Sequence, residues 1–488
     1  MRQLHRGRHR SLGQLVLPQV RPGQARVVLI LAAVLGLNGA DQATVSATAD
    51  NLKQAFQLTN TDVGLLVTVV ALAGAAFTLP VGVLTDRTRR TRLLALSIAA
   101  WSVATFFSGA ALSYPWLLIS RTLLGAVAAT SGPTVASLTG DYFPAADRAR
   151  VYGLILGGDL VGTGAGFILS GDISSALNWR FSFWWLVLPS LALAWAVWRL
   201  PEPARGAQRR LSRSGGDGPR ARELAGDAIQ RTGSEPDPSM VLRTSPAGRS
   251  LWWAIGYVLR VRTNLVIIGA SALAYFFFAG LRSFAIIYAT GHYGVTKPVA
   301  NALLVVVGAG ALGGVFAGGR VSDRLLRRGH IRARLVVPLA CLLAAPPVLA
   351  AAIATSSVAI AVPLLTAGAF LLSAPNPPLD AARLDIMHPQ LWGRAEGVRT
   401  ALRTLGEASA PVLFGLASVT LFGGPGAAAG GPGGTGSAGS AGGLEYTFLM
   451  FLIPLLGAGL LLLPALRTYP RDVATATASA EAISHGSS

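Results

Sequence analysis

The sequence predicts an all-α membrane protein in which twelve transmembrane helices form two pseudo-symmetric six-helix bundles. Three observations predict this fold. Of the 488 residues, 52% are hydrophobic and 13% are charged, with a mean hydropathy of +0.52, whereas about 25% of the residues in a soluble domain are charged. Apolar stretches of about 20 residues recur from Val27 to Leu466, and each can cross a bilayer. A loop motif recurs at the same place in each half.

Twelve spans follow from the hydrophobic pattern. The first six lie at about 27–48, 63–83, 93–112, 115–138, 151–172 and 181–199. The second six lie at about 264–289, 299–320, 335–354, 358–380, 397–421 and 445–466. The implied domains are a basic tail at 1–26, a bundle at 27–199, a linker at 200–262, a bundle at 263–466 and a tail at 467–488.

Two segments outside the spans carry distinct compositions. The linker is rich in Arg, Gly, Ser, Pro and Asp, which is typical of disorder. Within it, residues 251–261 read as an amphipathic helix that either lies in the membrane interface or begins span seven. Residues 423–443 are rich in Gly and Ala and predict a flexible insertion in the outer loop.

The arginines predict the orientation of the chain. They cluster in the N-terminal tail, the linker and every second loop, and the only lysines, Lys53 and Lys297, lie in the intervening loops. Because cytoplasmic loops are enriched in positive residues, we expect a multi-pass protein of the cell (inner or plasma) membrane with both termini cytoplasmic. The net charge of +19 is therefore topological and does not indicate nucleic-acid binding. A single cysteine, Cys341, excludes a disulfide framework.

The repeated loop motif follows spans two and eight. The first copy contains Gly82, Asp86, Arg87 and Arg90. The second copy contains Gly318, Asp323, Arg324 and Arg328. Glycine permits close backbone approach in a short turn, and the aspartate can accept hydrogen bonds from a helix N-terminus or an arginine. Two parallel six-helix repeats are an architecture of secondary transporters, whose substrate site lies between the halves.

These two loops resemble the signature of the major facilitator superfamily. The resemblance covers the chain except for the tails, the linker and the Gly/Ala-rich insertion. It implies two bundles that rock about a central cavity lined by spans one, four, seven and ten. It also implies that Asp86 helps to latch the cytoplasmic side in the outward-open state.

Charged residues inside the spans are functional candidates, because each costs at least ~2.5–3.5 kcal/mol to insert. Asp41 in span one and Arg121 in span four lie at similar depths, roughly 10 Å and 9 Å from the outer ends. We expect them to pair at the cavity. The pair either couples a proton to the rocking motion or is a static ion pair that fixes helix packing.

Further candidates lie in the second half. Arg403 and Glu407 are four residues apart in span eleven and share a helical face. Arg282 in span seven either snorkels outward or faces the cavity. Span seven is also strongly aromatic, which is usual for packing but would suit an apolar substrate. Asp159 lies in a glycine-rich span five, where the glycines indicate close helix packing.

Four stretches are similar to the Spinster family of lysolipid and sphingolipid transporters. They are "NGADQATVSA" from Asn38, the run that begins at Val161-Gly-Thr-Gly, Asn178-Trp179-Arg180, and Arg394-Ala-Glu396 with the segment from Leu405 to Pro411. The sequence departs from the family at Gln42, where the family has Arg. Arg403 falls where the family often has His, and Glu407 replaces Asp.

The resulting expectation is a secondary active transporter, proton-coupled, for an amphipathic small molecule such as a lysolipid. Alternatives are a transporter of small organic anions or drugs, in which Arg121, Arg282 and Arg403 hold a carboxylate, and a non-transporting receptor. No Ser/His/Asp set, metal-ligand cluster or phosphate loop indicates an enzyme, a cofactor or a metal. Expected partners are the bilayer, the substrate and protons, with no nucleic acid, and the chain is expected to be a monomer.

Overall fold

The computed structural model describes residues 22–58, 60–206, 233–422 and 437–485. The described residues form α-helices and short 3-10 turns, with no strand among them. The first bundle consists of α1 (Pro22–Ala47), α2 (Ala49–Phe56), α3 (Asn60–Arg87), α4 (Arg90–Gly109), α5 (Tyr114–Ala128), α6 (Ser131–Tyr142), α7 (Arg148–Ala176), α8 (Phe181–Trp184) and α9 (Val187–Trp198).

The second half begins with α10 (Leu251–Arg260). Its bundle consists of α11 (Arg262–His292), α12 (Lys297–Arg327), α13 (Ala333–Ala354), α14 (Val358–Ser373), α15 (Asn376–Asp385), α16 (Trp392–Thr420) and α17 (Ser437–His485). The helix α10 is separate from span seven: the Ser250 hydroxyl accepts the Trp253 N–H at 3.2 Å at its start, and the chain leaves helical geometry at Val261.

The helices account for all twelve predicted spans. Spans four, six and ten are each broken into two helices. In span ten the break follows from Pro375, Pro377 and Pro378, which lack the N–H groups that a continuous helix needs. Ten stretches are long and apolar enough to cross a membrane by themselves. The other two spans are the one formed by α5 with α6 and the one formed by α16, which carries five charged residues.

Two boundaries differ from the prediction. We expected span twelve to end at 466, but α17 continues to His485. The extension buries Tyr469, Val473 and Ala476, so it packs against protein. The predicted insertion at 423–443 overlaps α17 from Ser437 onward, and its residues 423–436 lie outside the described part. Residues 207–232 of the predicted linker also lie outside it.

Glycines let helix pairs inside each bundle approach closely. A Cβ atom at Gly162 of α7 would lie 1.9 Å from the Gly36 carbonyl oxygen of α1, and one at Gly166 would lie 2.4 Å from the Ala40 Cα. In the second bundle, a Cβ at Gly318 of α12 would lie 2.0 Å from the carbonyl oxygen of Ala374. Glycines therefore permit close helix packing in both bundles, although between different pairs of spans.

The two bundles meet at the end that carries the repeated loops, which we call the motif end. A Cβ at Gly82 would lie 2.7 Å from the Gly393 carbonyl oxygen of the other bundle, and one at Gly319 would lie 2.3 Å from that of Ala149. The bundles diverge toward the opposite end. Residues seven apart share a helical face, and on α3 this face packs Leu79 against the second bundle but leaves Leu72 51% and Leu65 41% exposed.

Candidate functional site

Asp41 and Arg121 form a bidentate ion pair inside the first bundle. Nη1 of Arg121 donates to Oδ1 of Asp41 at 2.9 Å, and Nη2 donates to Oδ2 at 2.8 Å. The Arg121 guanidinium also lies 5.8 Å from the centre of the Phe183 ring. The structure therefore brings together two residues that are 80 positions apart in the chain, in a geometry that is strong because both partners are charged.

The pair is enclosed by protein in this conformation. Asp41 is 0% and Arg121 is 1% exposed. The predicted location of the pair is at the cavity, and in this conformation neither side chain is open to solvent. One turn along α1, the hydroxyls of Thr44 and Ser170 are 2.7 Å apart and join α1 to α7. Nε of Arg121 has no acceptor within the described part of the chain.

A second group of charged residues lies where the bundles face each other. Asp159 of α7 is half-buried. Arg403 and Arg282 of the second bundle lie close enough to attract its carboxylate electrostatically. Arg403 is half-buried with its guanidinium 4.3 Å from the centre of the Tyr275 ring, whereas Arg282 is exposed. We call Asp159, Tyr275, Arg282, Arg403 and Glu407 the cleft group.

The cleft group offers both signs of charge without fixed pairing. Glu407 is half-buried one turn after Arg403. Both side chains lie close enough to the Tyr275 hydroxyl to interact with it electrostatically. No ion pair within 4.0 Å joins the described side chains of Asp159, Arg282, Arg403 or Glu407 to one another. Such groups can bind an external ligand without first breaking a salt bridge.

Four other aromatic residues of span seven pack inside the second bundle. Phe276, Phe277 and Phe284 surround Phe414 of α16, with ring centres 5.6–6.4 Å apart. Tyr288 is buried and donates from its hydroxyl to the Ile353 carbonyl at 2.7 Å. The aromatic pattern of this span therefore belongs mainly to the core of the second bundle.

A buried cluster of four charges lies next to the cleft group. Arg383 contacts Asp380 and Glu396, and Arg399 contacts the same two acids. Each of the four is at most 8% exposed. The Tyr152 hydroxyl, from the first bundle, is buried beside the cluster without a hydrogen bond among the described residues. The two arginines and two acids neutralise each other, as buried charges must.

Each motif aspartate caps a helix of the opposite bundle. Asp86 accepts the main-chain N–H groups of Gly393 at 2.8 Å and Arg394 at 3.0 Å, and also Nε of Arg394 at 2.9 Å. Asp323 accepts the main-chain N–H of Arg150 at 2.7 Å and Nη1 of Arg334 at 2.7 Å. The carboxylates thus meet the positive ends of α16 and α7, where a negative charge is stabilising.

The motif arginines have different environments. Arg90 is buried and contacts Asp141, and its Nε donates to Glu202 at 2.8 Å. Burial opposes ionisation of Glu202, but hydrogen bonds from the Thr91 main-chain N–H and Arg90 outweigh it and hold the pKa of Glu202 below its usual value. Arg87 is exposed and donates to the Ala247 and Arg249 carbonyls, each at 3.2 Å.

The second copy of the motif is less complete. Arg324 and Arg328 are exposed, and within the described chain neither side chain has an ion pair. Arg327, which we did not predict, contacts Asp147 of the other bundle at 2.9 Å. The exposed arginines are therefore positioned for the aqueous or lipid headgroup region instead of for a partner in the protein.

The sequence analysis did not propose several buried charged residues as site residues. Asp380 with Arg383 and Glu396 with Arg399 are each three residues apart, a spacing that puts them on one helical face and that could have drawn attention to them. The Arg148–Asp385 pair, at 2.8 Å, crosses between the bundles and has no local signal. No group of three or more potential metal ligands occurs in the part of the chain that the structure describes.

Relatives of known name agree with this architecture. "Protein spinster homolog 1" of Xenopus laevis is 31% identical over 38% of this chain and 36% of its own length. The mouse protein of the same name is 29% identical over 80% of this chain and 72% of its own length. The chain thus spans about a third of the Xenopus protein. The predicted resemblance to the Spinster branch is confirmed.

Solved structures and a family profile extend the agreement to the fold. A bacterial homologue of the human lysosomal transporter Spinster, in an inward-facing and unoccupied conformation, has a TM-score of 0.55 at 23% identity. That alignment covers 93% of this chain and 99% of the homologue. The profile of the Major Facilitator Superfamily matches residues 31–411. With its twelve spans in two repeated bundles, this chain belongs to the Major Facilitator Superfamily of transporters.

Proposed function

We propose that this protein is a secondary active transporter that works by alternating access and moves an amphipathic small molecule, such as a lysolipid, with proton coupling. The observation that carries the proposal is the contrast between the two ends of the molecule. The bundles are joined by two reciprocal latches at the motif end and diverge at the other. Polar latches of this kind can break and re-form, which a rocking mechanism requires.

The orientation proposed from the arginines makes this conformation outward-open. The motif end then lies on the cytoplasmic side of the cell membrane. The protein spans this membrane as a monomer. Substrate enters from the opposite end and meets the cleft group. Its polar part binds Arg403, Arg282 and Asp159, and its apolar part lies against the diverging helix faces that carry Leu65 and Leu72.

The Asp41–Arg121 pair is the proposed site of proton coupling. In the conformation described here the two side chains are buried from solvent. Protonation of Asp41 would release Arg121, so coupling requires another conformation in which water reaches the pair. A static role in packing α1 against α5 is the competing explanation.

A second function is supported by the free cations of the cleft group. Arg121 is engaged by Asp41 and is not available to a ligand here. In contrast, one guanidinium of Arg403 or Arg282 could bind both carboxylate oxygens of a small organic anion, or each arginine could bind one oxygen. Phe276, Phe277 and Phe284 pack around Phe414 inside the second bundle, so fewer aromatic rings are open to an apolar ligand than the sequence predicted, which also supports this alternative.

A flux assay in proteoliposomes tests both functions. The panel contains lysolipids, carboxylates and dyes, each with and without a pH gradient. We expect gradient-dependent lysolipid flux that is lost in Asp41→Asn and retained in Asp172→Asn, a control that removes an exposed acid. Full gradient dependence in Asp41→Asn would refute coupling at that residue.

The same assay separates the two substrate classes. Carboxylate flux without lysolipid flux, abolished by Arg403→Gln, would support the organic-anion function and refute the first proposal. Flux of no compound on the panel under either condition would count against both substrate classes.

A further inference from the structure

The internal repeat allows the polar contacts at the motif end to be compared between the two halves. Arg90 and Arg334 begin spans three and nine, and each contacts the aspartate that ends the following span, Asp141 or Asp385. Arg148, at the start of α7, crosses to the other bundle and donates to Asp385 at 2.8 Å. The position equivalent to Arg148 in α16 is Trp392, because Asp86 accepts the N–H groups of Gly393 and Arg394 where Asp323 accepts those of Ala149 and Arg150. The repeat therefore provides no arginine of α16 that is equivalent to Arg148 and could bridge to Asp141.

At this side of the motif end, the linker contacts both bundles. Nη2 of Arg394 donates to the Pro246 carbonyl at 3.1 Å, and its Nη1 donates to the Arg249 carbonyl at 3.2 Å. At the other side, the main-chain N–H of Gly206 donates to Oδ1 of Asp141 at 2.7 Å. Main-chain groups from the two ends of the linker thus form hydrogen bonds with Arg394 of the second bundle and Asp141 of the first.

Two arginines strengthen this arrangement on the first bundle. Arg87 donates to the Ala247 and Arg249 carbonyls, so the same short turn of the linker binds arginines from both bundles. Arg205 donates through Nη2 to the Thr85 carbonyl at 2.7 Å and the Thr88 carbonyl at 2.9 Å. Those two residues flank Asp86, the aspartate that caps α16.

The C-terminal extension of α17 fixes the linker to the second bundle. The Asp237 N–H donates to the Thr475 hydroxyl at 2.9 Å, and the Leu242 N–H donates to the Ser479 hydroxyl at 3.0 Å. Asp237 also contacts Arg471 at 3.1 Å. The linker is therefore attached to one bundle at 237–242, to the other at 205–206, and to both at 246–249.

We propose that residues 203–206 and 237–250 form a strap that holds the motif end closed, and that release of the strap shifts the protein toward the conformation in which the motif end is open. When the bundles separate at this end, Arg87 and Arg394 move apart, so they cannot both keep their bonds to one turn of the linker. The strap thereby adds to the two aspartate latches and makes the closed state depend on the linker.

A distance measurement between spin labels tests the strap. The labels replace Arg89 and Arg328, which are exposed on the motif loops of the two bundles, in a Cys341→Ser background. Full-length protein in nanodiscs is measured by double electron–electron resonance. One variant is Arg205→Ala. A second replaces residues 244–249 by alternating Gly and Ser, which makes the turn flexible and so costs entropy to order.

The matched control is Arg243→Ala, which removes an exposed linker arginine without a described hydrogen bond. We expect the ratio of closed to open populations to fall about tenfold in the Gly-Ser variant, because a flexible turn must be ordered before its carbonyls can bind the arginines. We expect it to fall about threefold in Arg205→Ala, because two hydrogen bonds to the Thr85 and Thr88 carbonyls are lost. Arg243→Ala should leave the ratio unchanged. Gly82→Ala is measured alongside, because its Cβ would lie 2.7 Å from the Gly393 carbonyl oxygen and we expect it to favour the open motif end.

Unchanged distances in both strap variants would overturn the proposal. A lower melting temperature without a change in the population ratio would also overturn it, since this would make the linker contacts merely stabilising. The readout needs no substrate and no proton gradient, so its result is independent of whether the proposed transport function is correct.

Discussion

A single buried ion pair explains why an acid is tolerated in the first span. Asp41 has no exposed surface, and both its oxygens accept hydrogen bonds from Arg121. Neither charge meets lipid, because α5 and α8 enclose the pair. The matched depth of the two residues made this partner predictable from the sequence. The burial of the pair was not predictable, because it depends on how the neighbouring helices pack around the two side chains.

Removing only one member of this pair should be costly. We expect Asp41→Ala to lower the free energy of unfolding by about 3–5 kcal/mol, since Arg121 is left as an uncompensated buried charge. The double variant Asp41→Ala/Arg121→Leu should be clearly more stable than Asp41→Ala alone. Unfolding by denaturant in mixed micelles gives the values. The control Asp172→Ala removes an exposed acid and should change the free energy of unfolding by less than about 0.5 kcal/mol. An equal loss of stability in Asp41→Ala and Asp172→Ala would contradict this explanation.

At the scale of elements, the glycines of α7 determine how closely it approaches α1. Gly162 lies against the main chain of α1, which cannot move aside as a flexible side chain could. Gly164, two residues later, has no atom within 4 Å of the place that a Cβ would occupy. The sequence predicted close packing from the glycine run, but it could not distinguish the glycines in contact from the free ones.

This difference predicts opposite effects for two equivalent substitutions. Gly162→Ala should destabilise the protein by about 1–3 kcal/mol through overpacking. Gly164→Ala should be neutral or stabilising by up to about 1 kcal/mol, because alanine is the better helix former. Thermal unfolding of the two purified variants compares them directly. If Gly162→Ala is tolerated as well as Gly164→Ala, the described α1–α7 contact is wrong.

At the scale of the whole molecule, small residues and two aspartates decide which end is closed. Gly82 and Gly393 let α3 and α16 touch, and Asp86 then reaches the N-terminus of α16. Asp323 repeats the arrangement with α7. Since the reciprocal contacts link different bundles, they must all break when the motif end opens.

A methyl group at this contact should therefore change the conformational equilibrium. Gly82→Ala places a Cβ 2.7 Å from the Gly393 carbonyl oxygen, and we expect it to favour the open motif end by about 1–3 kcal/mol, which is fivefold or more in population. The spin-label pair at 89 and 328 measures this shift. Gly64→Ala, on the same helix but without a neighbouring atom, is the control. Equal distance distributions in the two variants would rule out the wedge.

The sequence by itself determined the class of this protein, the twelve spans, the repeat and the Asp41–Arg121 partnership. Hydrophobic length, glycine spacing and charge depth are properties of single helices, and a repeated loop relates one half to the other. Only the tertiary structure decided that Arg148 pairs with Asp385, that four charges cluster around Glu396 and that the linker binds Arg394 and Asp141. These contacts join segments far apart in the chain through the relative placement of two rigid bundles. Several of them use main-chain N–H and carbonyl groups, which are common to almost all residue types and so cannot be recognised in a sequence.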